Sequence, residues 1–213
     1  MSEREEIRAP KLIVVEGRHD VAFFKALIDH MSSSTEIASK DFQVTLPGKD
    51  RGGKTEQRPF VKALAQLGVF RETVMSIGIV RDADDNPEGA FQTVKDLLVD
   101  AGLPCPSAPY QSIAGPPRVA IAILPDAARK GMLETLCVES VQETPAMQCV
   151  EEYLDCLQMR CNCTLAHLWK ARAQAFLASC PRPDLRVGEA AQKGYWNWDS
   201  PVFNQLKDFL RSL

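Results

Sequence analysis

No stretch of this sequence stays apolar for the ~18–20 residues that a membrane-spanning helix requires. Residues 1–11 carry charges of both signs and lack the apolar centre of a signal peptide, so we expect a soluble, cytoplasmic protein with no membrane partner. Positive charge is not in excess either: 25 Lys and Arg against 28 Asp and Glu leave a net charge of -3. A chain whose main task is to grip phosphate backbones is usually basic, because its affinity comes from neutralising phosphates and releasing counterions. Any contact with nucleic acid must therefore use a local patch or a bound metal. The seven cysteines are odd in number and contain no C-x-x-C pair, so reduced thiols are expected. The three histidines lie in no nucleophile-elbow context, which argues against a serine-type triad. Internal repeats and low-complexity tracts are missing as well. What remains is an ordinary globular composition, 45% hydrophobic and 25% charged over 213 residues, which excludes disorder, collagen and coiled coil. A chain of this length buries roughly 70% of its extended surface and needs no disulfide or metal to fold.

The apolar pattern alternates between two periods. Leu12 to Val15 is a short buried strand that breaks at Glu16-Gly17, and Val21, Phe24, Ile28 and Met31 then recur at helical spacing. Phe42, Val44 and Leu46 alternate as a strand ending at Pro47-Gly48, and Phe60, Val61, Leu64 and Leu67 mark a helix closed by Gly68. Val74 to Val80 is a third strand, delivering Arg81-Asp82-Ala83-Asp84-Asp85 at its end, and Asn86-Pro87 starts a helix with Asn as its cap. A proline-rich linker, 103–117, leads to a strand of Val119, Ile121 and Ile123. Strands alternating with helices predict an α/β fold with a mostly parallel, doubly wound sheet. From about residue 130 the pattern is helical, with faces at Leu133–Cys137, Val150–Leu157 and Leu165–Phe176 and a last helix opening at Ser200-Pro201. We read residues 1–128 as the α/β core and 129–213 as a helical extension packed on it.

In open parallel sheets, ligands bind beyond the carboxyl ends of the strands. Two such ends here carry acids: Glu16 with Asp20 one helical turn further, and Asp82, Asp84 and Asp85. If these strands are neighbours, the carboxylates converge, and so many like charges repel unless a hard cation sits among them. Oxygen ligands without a histidine cluster favour Mg²⁺ or Mn²⁺. Gly17 would allow a sharp turn, and an extended backbone would put Asp82 and Asp84 on one side. Glu16 is then either a ligand or a general base. Taken singly, each acid has a plainer reading: Asp20 as a complement to a helix dipole, and 82–85 as a solvated turn.

Val14-Val15-Glu16-Gly17-Arg18-His19-Asp20 resembles the E-G-x-x-D opening of the Toprim domain, and Ile79-Val80-Arg81-Asp82-Ala83-Asp84 resembles its D-x-D motif. Toprim domains occur in topoisomerases, primases, recombination proteins of the RecR type and OLD-family nucleases. The chain is similar to small bacterial Toprim-like proteins related to the OLD group, whose further segments correspond to Gly52-Gly53-Lys54, Pro125 and Gly131-Met132-Leu133-Glu134. The resemblance covers about residues 10–140. It implies a Toprim-like fold and a Mg²⁺-dependent nuclease, with Glu16, Asp82 and Asp84 as central metal and acid–base residues. Asp20 and Glu134 would help with a second metal, and Lys54 would assist catalysis. Leu133 stands before Glu134 where the OLD nucleases usually carry a small hydroxyl residue, which puts the second metal in doubt. The resemblance further implies nucleic acid as partner and a role in phage defence beside a separate ATPase.

Gly48 to Thr55 also satisfies G-x-x-x-x-G-K-[ST] between a strand and a helix, where a nucleotide-binding loop belongs. Lys54 would then reach the terminal phosphate and Asp82 would take the place of the second acid. Against this, a complete βα unit precedes the loop, and Glu16 and Asp20 are left without a role. A non-catalytic Toprim-like module that binds metal or nucleic acid is the other alternative. For nucleic-acid or phosphate binding the candidates are Lys49, Arg51, Lys54, Arg58 and Arg81, most of them in the basic excess of 49–62. Cys156, Cys161, Cys163 and His167 lack the usual zinc spacing and read better as thiols of a helix face. Trp196 and Trp198 pin the last helix to the core more readily than they stack bases.

Overall fold

The computed structural model describes residues 7–48, 53–162 and 164–213, and of Lys54 the backbone alone. In chain order the elements are β1 (Lys11–Val14), α1 (Arg18–Ser33), a 3₁₀ turn at Ser39–Asp41, β2 (Phe42–Thr45), α2 (Lys54–Gln66) and α3 (Gly68–Thr73). They continue with β3 (Ser76–Asp82), α4 (Pro87–Asp100), β4 (Ser112–Ile113), β5 (Arg118–Leu124) and α5 (Leu133–Ser140). The helical remainder is α6 (Pro145–Cys161), α7 (Leu168–Ala178), α8 (Val187–Gln192), a 3₁₀ turn at Pro201–Phe203 and α9 (Asn204–Ser212). The five strands lie in the order β2-β1-β3-β5-β4, parallel throughout except for the short β4, which runs antiparallel to β5. This is the mostly parallel α/β sheet that the alternation of strand and helix patterns predicts. Among the described residues no helix is long and apolar enough to cross a membrane.

Both faces of the sheet are covered, and the period-two alternation of each strand divides the core. Leu12, Val14, Ile77, Ile79, Val119, Ile121 and Ile123 face the layer of α2, α3 and α4, where Val61, Phe70, Val94 and Leu98 meet them. On the other face Ile13, Val15, Val80, Ala120, Ala122 and Leu124 meet α1 and the C-terminal helices in one continuous cluster. That face is built of small residues at its centre, and the reason is α9. A Cβ on Gly78 would come 2.6 Å from the Phe209 ring and 2.9 Å from Leu213. Trp196 is buried, stacks on Phe176 and donates its indole N–H to the Val187 carbonyl, while Trp198 packs on Phe23 and Phe203.

Several local expectations are corrected. Gly68 does not close the second helix: Leu67 is extended (φ -72°, ψ 133°) and breaks it, and Gly68 begins α3, anchored by buried Phe70. The third strand starts later than Val74 because the Met75 and Ser76 amides both turn to the Pro10 carbonyl. At its other end it runs on to include Arg81 and Asp82, which pair with Ile123 and Leu124 of β5. The linker contains β4, and the stretch before Ser200 holds α8. Asn86 caps α4 as expected, its Oδ1 accepting from Gly89 N at 2.9 Å, with Pro87 in the first turn.

Candidate functional site

The parallel register sets Val14 beside Ile79, so β1 and β3 deliver their carboxyl ends to the same edge. Val15 N still donates to Thr45 O at 3.0 Å, which holds the chain in the sheet up to Glu16. Gly17 was expected to supply a sharp turn, yet its backbone is extended (φ -144°, ψ 173°), a conformation open to any residue. The turn is instead closed by Asp20, whose Oδ2 accepts from Gly17 N at 2.8 Å in the first turn of α1. Burial pushes the Asp20 carboxyl up to about 7, and the negative charges of Glu16 and Glu134 add to that rise against the opposing Gly17 hydrogen bond.

Glu16 is where the two strand ends meet. Its Oε1 accepts from the backbone N–H of Asp82 at 3.2 Å, and Arg81 Nε lies 3.9 Å from the same oxygen. Arg81 also donates through Nη1 to Gln57 Oε1 at 3.2 Å, and buried Gln57 donates through Nε2 to Val80 O at 3.2 Å. Gln57 thus ties α2 to the tip of β3 and steers Arg81 toward Glu16. Sequence reasoning missed it, and its one signal is its place one helical turn after Lys54. Gly53, at φ 138°, donates its N–H to the Glu16 carbonyl at 2.9 Å, so the backbone at Lys54 starts α2 beside Glu16.

The next residues of the D-x-D segment are clamped to the loop after β5. Ala83 N donates to Leu124 O at 2.8 Å, and Asp84 and Gly131 exchange backbone hydrogen bonds at 2.7 and 2.8 Å. Asp82 Oδ1 accepts from Leu133 N, the first amide of α5, at 3.1 Å, so an acid sits against the positive end of that helix. Gly131 is required here: its φ is 142°, and a Cβ would meet Thr135 Oγ1 at 2.6 Å and Pro125 at 3.0 Å. The segments around Pro125 and Gly131–Glu134 therefore have a mechanical part in the site, as the wall that holds Asp82. Glu134 follows in the first turn of α5 and is felt electrostatically by Asp20, by His19 and by the buried Cys137 thiol. Burial drives that thiol upward, helped by Glu134, Asp20 and Asp82.

Glu16, Asp20, Asp82 and Glu134 thus gather at one edge. Asp84 does not share a face with Asp82 through an extended backbone, because it turns into the left-handed region at φ 49° and is exposed. Among the described residues no group of three or more His, Cys, Asp or Glu stands close enough to hold a metal ion. The physical reason is visible in the bonding: Glu16, Asp20 and Asp82 each direct an oxygen to a separate backbone amide. The donor type suits a hard divalent cation, while the side-chain positions would have to close in to take one. Of the basic candidates, Arg81 is in the site. Arg58 is ion-paired with Asp100 at the end of α4, Lys49 and Arg51 lie outside the described residues, and Lys54 is placed by its backbone alone. Cys163 also lies outside them, and Cys161 is exposed.

No curated protein matches the chain. Among solved structures, the C-terminal region of the OLD protein of Xanthomonas campestris pv. campestris is similar to it at 13% identity and a TM-score of 0.45, covering 97% of this chain and 96% of that one. A family model matches residues 10–213, from the start of β1 through α9, and the chain belongs to that family, described as Protein of unknown function (DUF3226).

Proposed function

We propose that this chain is a divalent-cation-dependent phosphodiester hydrolase of Toprim type that acts on nucleic acid. The observation that carries the reading is the hydrogen bond from Asp82 N to Glu16 Oε1 at 3.2 Å, which joins the two motif acids across 66 residues of sequence. Glu16 and Asp82, with Asp20 and Glu134 beside them, would hold Mg²⁺ or Mn²⁺, and Asp84 would join them once its turn closes toward Asp82. Such an ion, when bound, neutralises charge on a phosphate and on the oxygens around it. The chain's own residues supply the rest. Glu16 is the group placed to take a proton from an attacking water or return one to a leaving oxygen. Arg81, held by Gln57, sets a fixed positive charge beside Glu16, where phosphoryl charge would develop. Asp82 is oriented by the Leu133 amide and so has a defined direction before substrate arrives.

The test is a cleavage assay on single- and double-stranded DNA and RNA with and without Mg²⁺ or Mn²⁺. We expect cleavage that EDTA abolishes and that Asp82→Asn and Glu16→Gln each lower by about 10²-fold or more, with unchanged melting temperatures. Retained activity in Asp82→Asn defeats the assignment. A non-catalytic Toprim-like module is the second reading, favoured by the separation of the carboxylates onto different amides. It predicts Mn²⁺ binding in a titration and no cleavage of any of the substrates. The nucleotide-triphosphatase reading meets an obstacle at Gly53, whose N–H would have to cradle phosphate but is donated to the Glu16 carbonyl. ATP binding lost on Lys54→Ala would restore it.

A further inference from the structure

A second cluster of charge lies on the β1–β2 side of the sheet, away from Glu16. There a cleft of about 470 Å³ opens between the second half of α1 and β2, within the size range of small-ligand sites. Among the described residues Arg8, Lys25 and Lys40 line it together with one acid, Asp29. Among the described residues neither Lys25 nor Lys40 is held in an ion pair, and both are exposed. A fourth cation stands close by: Lys11 Nζ is 4.8 Å from the centre of the Phe42 ring, and Phe42 is itself a wall of the cleft. Ile28 continues the apolar wall. Lys11 and Phe42 pair as the first residues of β1 and β2, whereas Glu16 lies two residues beyond the last residue of β1, so the cleft is distinct from the acidic edge. In a chain of net charge -3, so many cations around one concave surface require an explanation.

We propose that this cleft binds a nucleotide, its phosphate between Lys25 and Lys40 and its ring system against Ile28 and Phe42. The cations provide charge-assisted hydrogen bonds to phosphate oxygens, and the apolar wall provides the contact that a bare anion cannot use. The nucleotide is either free or one unit of a single strand, and the same chemistry serves both. The experiment is titration calorimetry on the full chain in EDTA, with AMP, inorganic phosphate and a short oligothymidylate as probes. We expect saturable AMP binding that is tighter than phosphate binding and that Lys25→Gln/Lys40→Gln weakens by about tenfold or more, with Lys40→Glu acting in the same direction. Both lysines are exposed, and unchanged circular dichroism would show that the variants fold. Oligothymidylate binding tighter than AMP, with the same lysine dependence, assigns the site to a strand. AMP binding without oligothymidylate binding assigns it to the free nucleotide. No AMP binding at millimolar concentration, phosphate binding as tight as AMP, or indifference to the lysine variants overturns the proposal. None of these readouts depends on cleavage at the acidic edge.

Discussion

Asp20 illustrates how one residue can serve a turn and carry a cost. Its carboxyl closes the start of α1 through Gly17 N, yet burial beside Glu16 and Glu134 raises it from 3.8 to about 7. A folded-state value above the unfolded one means that, between those two values, the native protein holds a proton the unfolded chain has released. Stability contributed by this group is therefore lost as the pH rises through that window and is level above it. In EDTA, Asp20→Asn keeps an acceptor for Gly17 N without the charge. We expect the variant to lack that slope and to melt higher than the parent at pH 8, as measured by thermal denaturation across pH 4–8. Parallel pH profiles for parent and variant would show that the slope arises from some group other than Asp20. Gly131 is the opposite case, a residue whose missing side chain is its contribution. Gly131→Ala forces a Cβ against Thr135 Oγ1 at a φ of 142°, and we expect a loss of about 1–3 kcal/mol in urea unfolding. Because Gly131 holds Asp84 by two backbone hydrogen bonds, the same change should disturb the acidic edge.

At the scale of elements, the helix α8 is the clearest addition to what local patterns announce. Its six residues carry one large apolar side chain, Val187, and its other buried residues are the small Gly188, Ala190 and Ala191, a short and weak signal for a helix. Its position is set by close approach: a Cβ on Gly188 would lie 2.0 Å from the His19 carbonyl oxygen and 2.8 Å from Ala22 Cβ. This contact seats the C-terminal region on the first turn of α1, directly beside Asp20. Gly188→Val should separate the two helices, costing about 1–3 kcal/mol, with hydrogen exchange rising first at the amides of α8 and the first turn of α1. Other elements were legible from sequence. The strands β1, β2, β3 and β5 and their parallel arrangement follow from local apolar runs and turn residues. The acids at the two strand ends are legible too, because Glu16 and Asp82 lie within or next to those runs. What local patterns do not carry is partnership across the chain. Gln57 steering Arg81, the Leu133 amide on Asp82 and the left-handed turn at Asp84 arise from packing between distant segments. Arg58, selected for charge alone, has that charge balanced by Asp100.

On the scale of the whole molecule, the sheet face under α9 decides whether residues 1–128 and 129–213 behave as separate units. Gly78, Ala120 and Ala122 offer a shallow surface there, and Phe209, Leu210 and Leu213 complete it. Without α9, strands β3 and β5 would expose one face to water, since the other is already covered by α2, α3 and α4. Phe209 is fully buried, and Phe209→Ala should cost about 3–5 kcal/mol. The diagnostic is where that loss is felt. All three tryptophans, Trp169, Trp196 and Trp198, lie in the C-terminal region, with Trp198 against Phe23 and His30 of α1, so their fluorescence follows that region and its seat on α1. Amide exchange in β3 and β5 follows the sheet. Because one continuous cluster runs from Ile13 and Val80 to Phe209, we expect the two probes to report a single coincident transition, lowered equally in the variant. If tryptophan fluorescence changed while the amides of β3 and β5 stayed protected, the sheet would be stable without its C-terminal cover, and the helical region would be an independent domain.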